Sequence, residues 1–156
     1  MIRFVRIDHR LLHGQVAFAW TKNLGADCIL IANDRVANDE LASAVLRIAK
    51  PSGIKLVIKS VEDSITALNS GATDKYKLFI IVGSIADAKK LSDKVDAIKS
   101  INLGGVKKEE GKKQISRAVF VSDEEIALLK QMNAKGIELE IRMIPDDTAV
   151  DAIKVI

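Results

Sequence analysis

Short, largely apolar runs alternate along the chain with stretches in which apolar residues recur at helical spacing. Ile2–Ile7, Cys28–Ala32, Ile54–Ile58, Leu78–Val82 and Ile98–Leu103 are runs of the first kind and predict buried strands, with Ala118–Val121 a shorter one. Between them, Val16, Ala19, Trp20 and Leu24 fall at i, i+3, i+4 and i+8, the stripe of a core-facing helix. Leu41, Ala44, Val45 and Ile48 make a second helical stripe, ending near Lys50-Pro51-Ser52-Gly53. Three further helices are announced by Ser-x-x-acid starts: Ser60 with Asp63, Ser84 with Asp87, and Ser122 with Glu125. The first of these buries Val61, Ile65 and Leu68 and stops at Gly71, and the last ends before Gly136.

The final strand differs from the others. Ile137, Leu139, Ile141 and Met143 alternate with Glu138, Glu140 and Arg142, one face dry and one wet, as at a sheet edge. Continuous apolar runs elsewhere imply central strands covered on both sides, and strands alternating with helices imply right-handed parallel crossovers. The expected fold is therefore α/β: one domain over residues 1–156, a three-layer sandwich with a mostly parallel central sheet, helices on both faces and an antiparallel edge strand. The tail 147–156 reads as a short helix.

Composition changes this picture little. At 156 residues the chain buries a full core without disulfides or metals, and its 4% aromatic content points to an aliphatic interior. Twenty-four basic against 21 acidic side chains give a net charge of +3, a mixed surface that argues against nucleic-acid binding. The one basic cluster, Lys107, Lys108, Lys112 and Lys113, is interrupted by Glu109 and Glu110 and reads as a solvated loop before a docking site for an acidic partner. Cys28, the sole cysteine, lies in an apolar run and reads as a small buried hydrophobe. No signal peptide or membrane-length apolar run is legible, so the expected location is cytoplasmic.

The candidate chemistry is concentrated in Arg6-Ile7-Asp8-His9-Arg10-Leu11-Leu12-His13-Gly14-Gln15-Val16, which holds both histidines of the chain. Residues 8–14 join a strand to a helix, and in an open parallel sheet such loops border the crevice where ligands bind. His13 then stands at or beside a helix N-terminus, whose free amides and positive dipole end favour an anion. A phosphoryl group on that ring would also meet the fork of Arg10, which matches phosphate oxygens bidentately. Asp8 either holds Arg10 in place or accepts from one ring nitrogen of His13, fixing which nitrogen attacks. Gly14, without a side chain, lets a donor protein approach, and Gly14 and Gln15, with Ser84 and Asn33 from neighbouring loops, are the candidate phosphate-binding positions.

Plainer readings exist for each. His13 can be a loop histidine satisfied by a carbonyl, Ser84 a helix cap, Asn33 and Asp34 turn formers, and Gly104-Gly105 a tight turn, since no Walker or GxGxxG spacing surrounds the glycines. His9 and His13 have the four-residue spacing of metal ligands, but there is no third histidine and no acidic residue between them, so no metal or cofactor is expected. A non-catalytic anion-binding or regulatory module on a flavodoxin-like scaffold is the alternative function.

The string from Arg6 to Val16 with Trp20 resembles the active-site signature of the IIB component of the mannose/fructose/sorbose family of the bacterial sugar phosphotransferase system. The resemblance continues in IleAlaAsnAsp at 31–34, ValAlaAsnAspGlu at 36–40, AsnLeuGlyGly at 102–105, GlyLysLysGlnIleSer at 111–116 and GluIleArgMetIlePro at 140–145, in the family's order. It implies that His13, the histidine of the HisGlyGln triplet, is a phosphohistidine, with Arg10 as the family's loop arginine. It implies a IIA phosphodonor, membrane IIC and IID subunits that hold the sugar, peripheral attachment to the membrane through them, and the possibility of a homo-oligomer. His9 departs from the acidic residue many members carry there, which leaves that position's role open.

Overall fold

A computed structural model describes residues 1–156 and places all the predicted strands except Ala118–Val121 in one seven-stranded sheet. The strands are β1 (Ile2–Asp8), β2 (Cys28–Ala32), β3 (Lys55–Lys59), β4 (Leu78–Val82), β5 (Ser100–Gly105), β8 (Glu138–Ile141) and β9 (Val150–Asp151), in the order β3-β2-β4-β1-β5-β8-β9. All neighbours run parallel except β8 and β9. A separate antiparallel hairpin, β6 (Lys113–Ser116) and β7 (Val119–Val121), bridges to the main sheet through Val106 and Val119.

The helices divide between the faces. α1 (Gly14–Leu24), the single turn α2 (Asp34–Ala37) and α3 (Glu40–Ile48) cover one side, where Ala17, Trp20, Val36 and Leu46 join Ile29, Ile31, Phe79 and Ile81. α4 (Val61–Asn69), α5 (Ile85–Lys94) and α6 (Asp123–Ala134) cover the other, where Leu68, Ile85, Leu91, Leu129 and Met132 meet Val5, Ile7, Leu30, Ile80 and Val82. Successive strand residues thus feed opposite layers, as the two-residue period requires. On β1 the consequence is decisive for the site: Val5 and Ile7 enter the larger core, so Arg6 and Asp8 point to the α1 side.

The serine starts are helix caps as read: Ser60, Ser84 and Ser122 accept from the amides of Asp63, Asp87 and Glu125, and Glu125 completes a capping box on Ser122. The expected α/β sandwich is present, but four local expectations change. The tail is a two-residue strand, β9, followed by a short 3-10 turn at Ala152–Lys154, so the antiparallel edge is β9 and the alternating strand β8 lies one place in from it. Lys113–Ser116, too polar to register as a strand, pairs with β7 in the hairpin. Gly104-Gly105 is no turn; both glycines end β5, where Gly105 pairs with Asp8 of β1 and the register shifts at Gly104. The Leu41, Ala44, Val45 and Ile48 stripe faces solvent, while α3 packs inward through Ala42, Leu46 and Ala49.

Candidate active site

The site begins with Asp8, the last residue of β1, which is fully buried and carries three cationic or polar neighbours. Its Oδ1 accepts from the Arg10 amide at 3.0 Å and from Arg10 Nε at 3.2 Å, and its Oδ2 accepts from Arg6 Nη2 at 3.2 Å. Oδ2 also lies 3.2 Å from Nε2 of His13. The two roles read as alternatives for Asp8 in the sequence are therefore both filled, one by each oxygen.

The loop that makes this possible is tightly folded. The Leu11 amide bonds the Asp8 carbonyl at 2.9 Å, and Leu11 itself takes a left-handed conformation, φ 61°, while burying its side chain beside Leu12. A left-handed non-glycine residue is strained by about 1–2 kcal/mol. Here the strain turns the chain back so that residues 10 and 13 converge on residue 8. His13 is the N-cap residue of α1 but makes no side-chain capping bond; its ring turns to Asp8 instead. The first helical amide with a carbonyl partner is that of Ala17, on the His13 carbonyl, which leaves the amides of Gly14, Gln15 and Val16 free in the first turn. Gly14, at φ 45°, is exposed, with nothing near the place where a side chain would begin.

Beneath Asp8 lies a polar layer not assigned from the sequence. Arg6, only 3% accessible in its side chain, donates from Nη1 to Asn102 Oδ1 at 2.7 Å and to the Arg142 carbonyl at 3.2 Å. Asn102 bonds Glu140 Oε2 at 3.3 Å, and Glu140 takes both Nε and Nη2 of Arg142, at 2.8 and 3.2 Å. The indole of Trp20 roofs this layer, with Arg6 5.5 Å and Arg142 4.9 Å from its centroid, Phe4 stacked on it at 4.5 Å, and its Nε1 bonded to the Met143 carbonyl. Gly104 and Gly105 leave the space: a Cβ on Gly104 would sit 2.0 Å from Arg6 Cζ, and one on Gly105 would press on Asp8 Oδ1, Arg10 Nη2 and His9 Nδ1. Glu140, on the wet face of β8, thus backs Asp8 through Asn102 and Arg6. The signal was present: an arginine flanked by Val5 and Ile7 in a buried strand needs a paired acceptor.

The remaining candidates divide. Gly14 and Gln15 stand with His13 at the helix start. Asn33 caps α2 through Val36 and packs its amide against Gly83, and the Ser84 hydroxyl is engaged by Asp87; neither bonds Asp8, Arg10 or His13. Asp34 accepts from the Val61 amide at 2.9 Å and ties α2 to α4. His9 is exposed, its amide on the Gly105 carbonyl. No three His, Cys, Asp or Glu side chains lie close enough to share a metal ion. Of the lysine cluster, Lys112 bonds Glu109 and Glu125, and the other three are exposed.

Electrostatics decide the protonation pattern. Burial alone would push the Asp8 carboxyl up, but the Arg10 amide and the Arg6 and Arg10 charges outweigh it and hold its pKa below the ordinary 3.8. Burial lowers the pKa of Arg6, offset in part by Asp8. An ionised carboxylate only accepts, so the Nε2 that faces it carries the ring proton and Nδ1 keeps the free lone pair. A depressed carboxylate contributes stability present above its unfolded pKa and lost as pH falls through the folded one. Asp8→Asn should therefore show a stability deficit that persists from neutral pH down to about pH 4 and narrows only below it. Paired thermal melts across that range check this; a deficit that vanishes by about pH 6 would mean that Asp8 is not held ionised.

The arrangement suits acceptance of an anionic group at a partly exposed imidazole beside free amides and a half-exposed arginine. The family model described as PTS system sorbose subfamily IIB component matches residues 2–156. A probable phosphotransferase enzyme IIB component from Streptococcus pyogenes serotype M6 is 36% identical, with 96% of each chain covered. The mannose-specific EIIAB component of Escherichia coli K12 is 33% identical over 94% of this chain and 46% of its own length, so the chain spans about half of that relative. The crystal structure of the IIBSor domain of the sorbose permease from Klebsiella pneumoniae superposes with a TM-score of 0.94 at 30% identity, covering 99% of this chain and 94% of that one. No helix is long and apolar enough to cross a membrane.

Proposed function

Because the chain belongs to the sorbose subfamily of phosphotransferase-system IIB components, proteins of phosphotransfer in sugar uptake, we propose that it is a phosphohistidine carrier whose acceptor atom is Nδ1 of His13. The observation that carries this reading is the bond between Asp8 Oδ2 and His13 Nε2, which leaves Nδ1 as the nucleophile. A phosphohistidine of a IIA partner is the donor. The Nδ1 lone pair forms the new N–P bond as the donor's N–P bond breaks, and the electron pair of that bond returns to the donor ring. The His13 ring gains positive charge as the bond forms while its Nε2 proton stays in place, and Asp8 opposes that charge. In the second transfer the bond from His13 to phosphorus breaks with its electron pair returning to Nδ1, as the oxygen of a sugar hydroxyl, held by membrane IIC and IID subunits at the cytoplasmic face, forms the new O–P bond and gives up its proton to a base of those subunits or to water.

Arg10 spends its Nε on Asp8, and both Nη groups remain for phosphoryl oxygens. The free amides of the α1 start supply further donors. Gly14 and Gln15 act through that backbone. Asn33 and Ser84 shape the adjoining loops, and a phosphoryl contact from either requires release of its capping bond. Visits by two partners to one histidine require a site open to both.

The test is incubation with a phosphorylated IIA-type donor and mass spectrometry under conditions that preserve acid-labile phosphate. One phosphoryl group on Nδ1 of His13 is expected. Donor binding without labelling would return the chain to the alternative of a non-catalytic anion-binding module. Arg10→Lys keeps a charge but loses the fork, and should slow transfer on the order of 10-fold to 1000-fold in rapid-quench measurements. A rate within about twofold of the parent would assign Arg10 to holding Asp8 alone.

A further inference from the structure

α3 is amphipathic in the wrong direction for a helix that only serves the core. Its inward side chains include two alanines, Ala42 and Ala49, with Leu46, whereas the larger Leu41, Val45 and Ile48 are 77%, 59% and 85% exposed and share an outward stripe with Ala44. Isolated exposed leucines are ordinary, but a contiguous stripe of this kind marks an interaction surface. Past the helix, Pro51 and Ile54 border a separate groove with the half-exposed Phe18 of α1.

We propose that this surface binds a second copy of the same chain, the two α3 helices packing antiparallel about a two-fold axis that passes beside Ala44 and Val45. The stripe is self-complementary in that orientation. Leu41 of one protomer meets Ile48 of its partner, and Ala44 meets Val45, so a small residue faces a larger one at the centre and the backbones approach closely. The helix ends carry opposite charge: Glu40 is exposed at the start, and Arg47, also exposed, lies in the last turn. Antiparallel pairing brings each acidic start to the partner's basic end, whereas parallel pairing sets like beside like. Lys50, just beyond the helix, adds to the basic end. This charge pattern selects a copy of the chain over a partner of unrelated sequence. Nine residues span only roughly 14 Å, short of a standard interface of about 1,600 Å², so the dimer is weak and in exchange at high micromolar concentration. The surface uses none of Asp8, Arg10 or His13 and leaves the carrier site of each protomer open.

Sedimentation velocity of the whole chain from micromolar to near-millimolar concentration tests this. The mass should rise from 17.0 kDa towards twice that value. Val45→Glu, at an exposed position that leaves the melting temperature unchanged, should hold the chain monomeric throughout. Glu40→Arg and Arg47→Glu should each weaken association several-fold, and the double variant should restore it, because only like partners exchange both charges at once. Ala44→Cys should give a covalent dimer on oxidation while Lys130→Cys, exposed on α6, does not; buried Cys28 does not compete. A chain that stays monomeric at every concentration overturns the proposal, as does a dimer that survives Val45→Glu or a double variant that fails to restore pairing.

Discussion

Replacing His13 with alanine should abolish phosphate acceptance and leave the fold essentially unchanged. The first half follows from the proposed role of this ring, which stands at the meeting point of Asp8, Arg10 and the free amides of α1. The second follows from what the side chain does not do. It caps no helix amide, and it belongs to neither hydrophobic layer. Asp8 keeps its bonds to Arg6 and to the Arg10 amide and side chain when the imidazole is gone. Stability should therefore move by no more than about 1 kcal/mol, a shift of roughly 2–4 °C in melting temperature for a chain of this size. Labelling by a phosphorylated IIA-type donor should fall to background. His9→Asp, which restores the residue common in the family at that exposed position, should keep full labelling. Persistent acid-labile phosphate on the His13→Ala chain would move the nucleophile to His9 or another group.

What the sequence discloses about this site depends on how local the information is. The strand-to-helix loop was legible because strand, loop and helix are contiguous, and because serine caps and apolar runs report local backbone geometry. The pairing of Asp8 with both Arg10 and His13 was half legible. Spacing put the three residues in one loop, but the left-handed turn at Leu11 that lets both oxygens be used has no sequence signature, since leucine is not a residue that marks such a turn. The ladder from Arg6 through Asn102 to Glu140 was not assigned at all. Its members lie on three strands that become neighbours only through the order β1-β5-β8, and register between distant strands is a property of the whole sheet. Gly104 illustrates the same limit. Its neighbours in sequence favoured a turn, and its true role is the space it leaves for the guanidinium of a residue almost a hundred positions away. The outward stripe of α3 is a different kind of miss, because helical periodicity identifies an apolar face without saying what covers it.

Arg6→Met should have the largest effect on stability of any single change near the site. The methionine replaces the aliphatic stem under Trp20 but leaves empty the hollow over Gly104 that the guanidinium fills, so the loss combines the missing charge with a small void. Removing the guanidinium leaves Asp8, 1% accessible, without its one buried cation and orphans Asn102 Oδ1, while the Arg142 carbonyl keeps its bond from Asn102 Nδ2. Breaking a buried pair by deleting one partner destabilises by about 3–5 kcal/mol, since the other charge remains buried. Against a total stability of roughly 5–15 kcal/mol, that is a drop of about 6–20 °C in melting temperature. The pH dependence should change with it. Without Arg6 one of the forces that depress the Asp8 pKa is gone, so the acid-induced loss of stability should begin at higher pH than in the parent. Phosphate acceptance should also slow in chains that remain folded, because Asp8 holds the His13 proton less firmly. Arg6→Lys, which returns the charge without the fork that reaches both Asp8 and Asn102, should recover part of the stability and less of the rate. Denaturant titration and labelling of the same preparations distinguish these outcomes. A Met variant within about 1 kcal/mol of the parent would mean that Arg10 and the loop amide alone keep Asp8 ionised, and that the ladder across β5 and β8 serves the sheet and not the histidine.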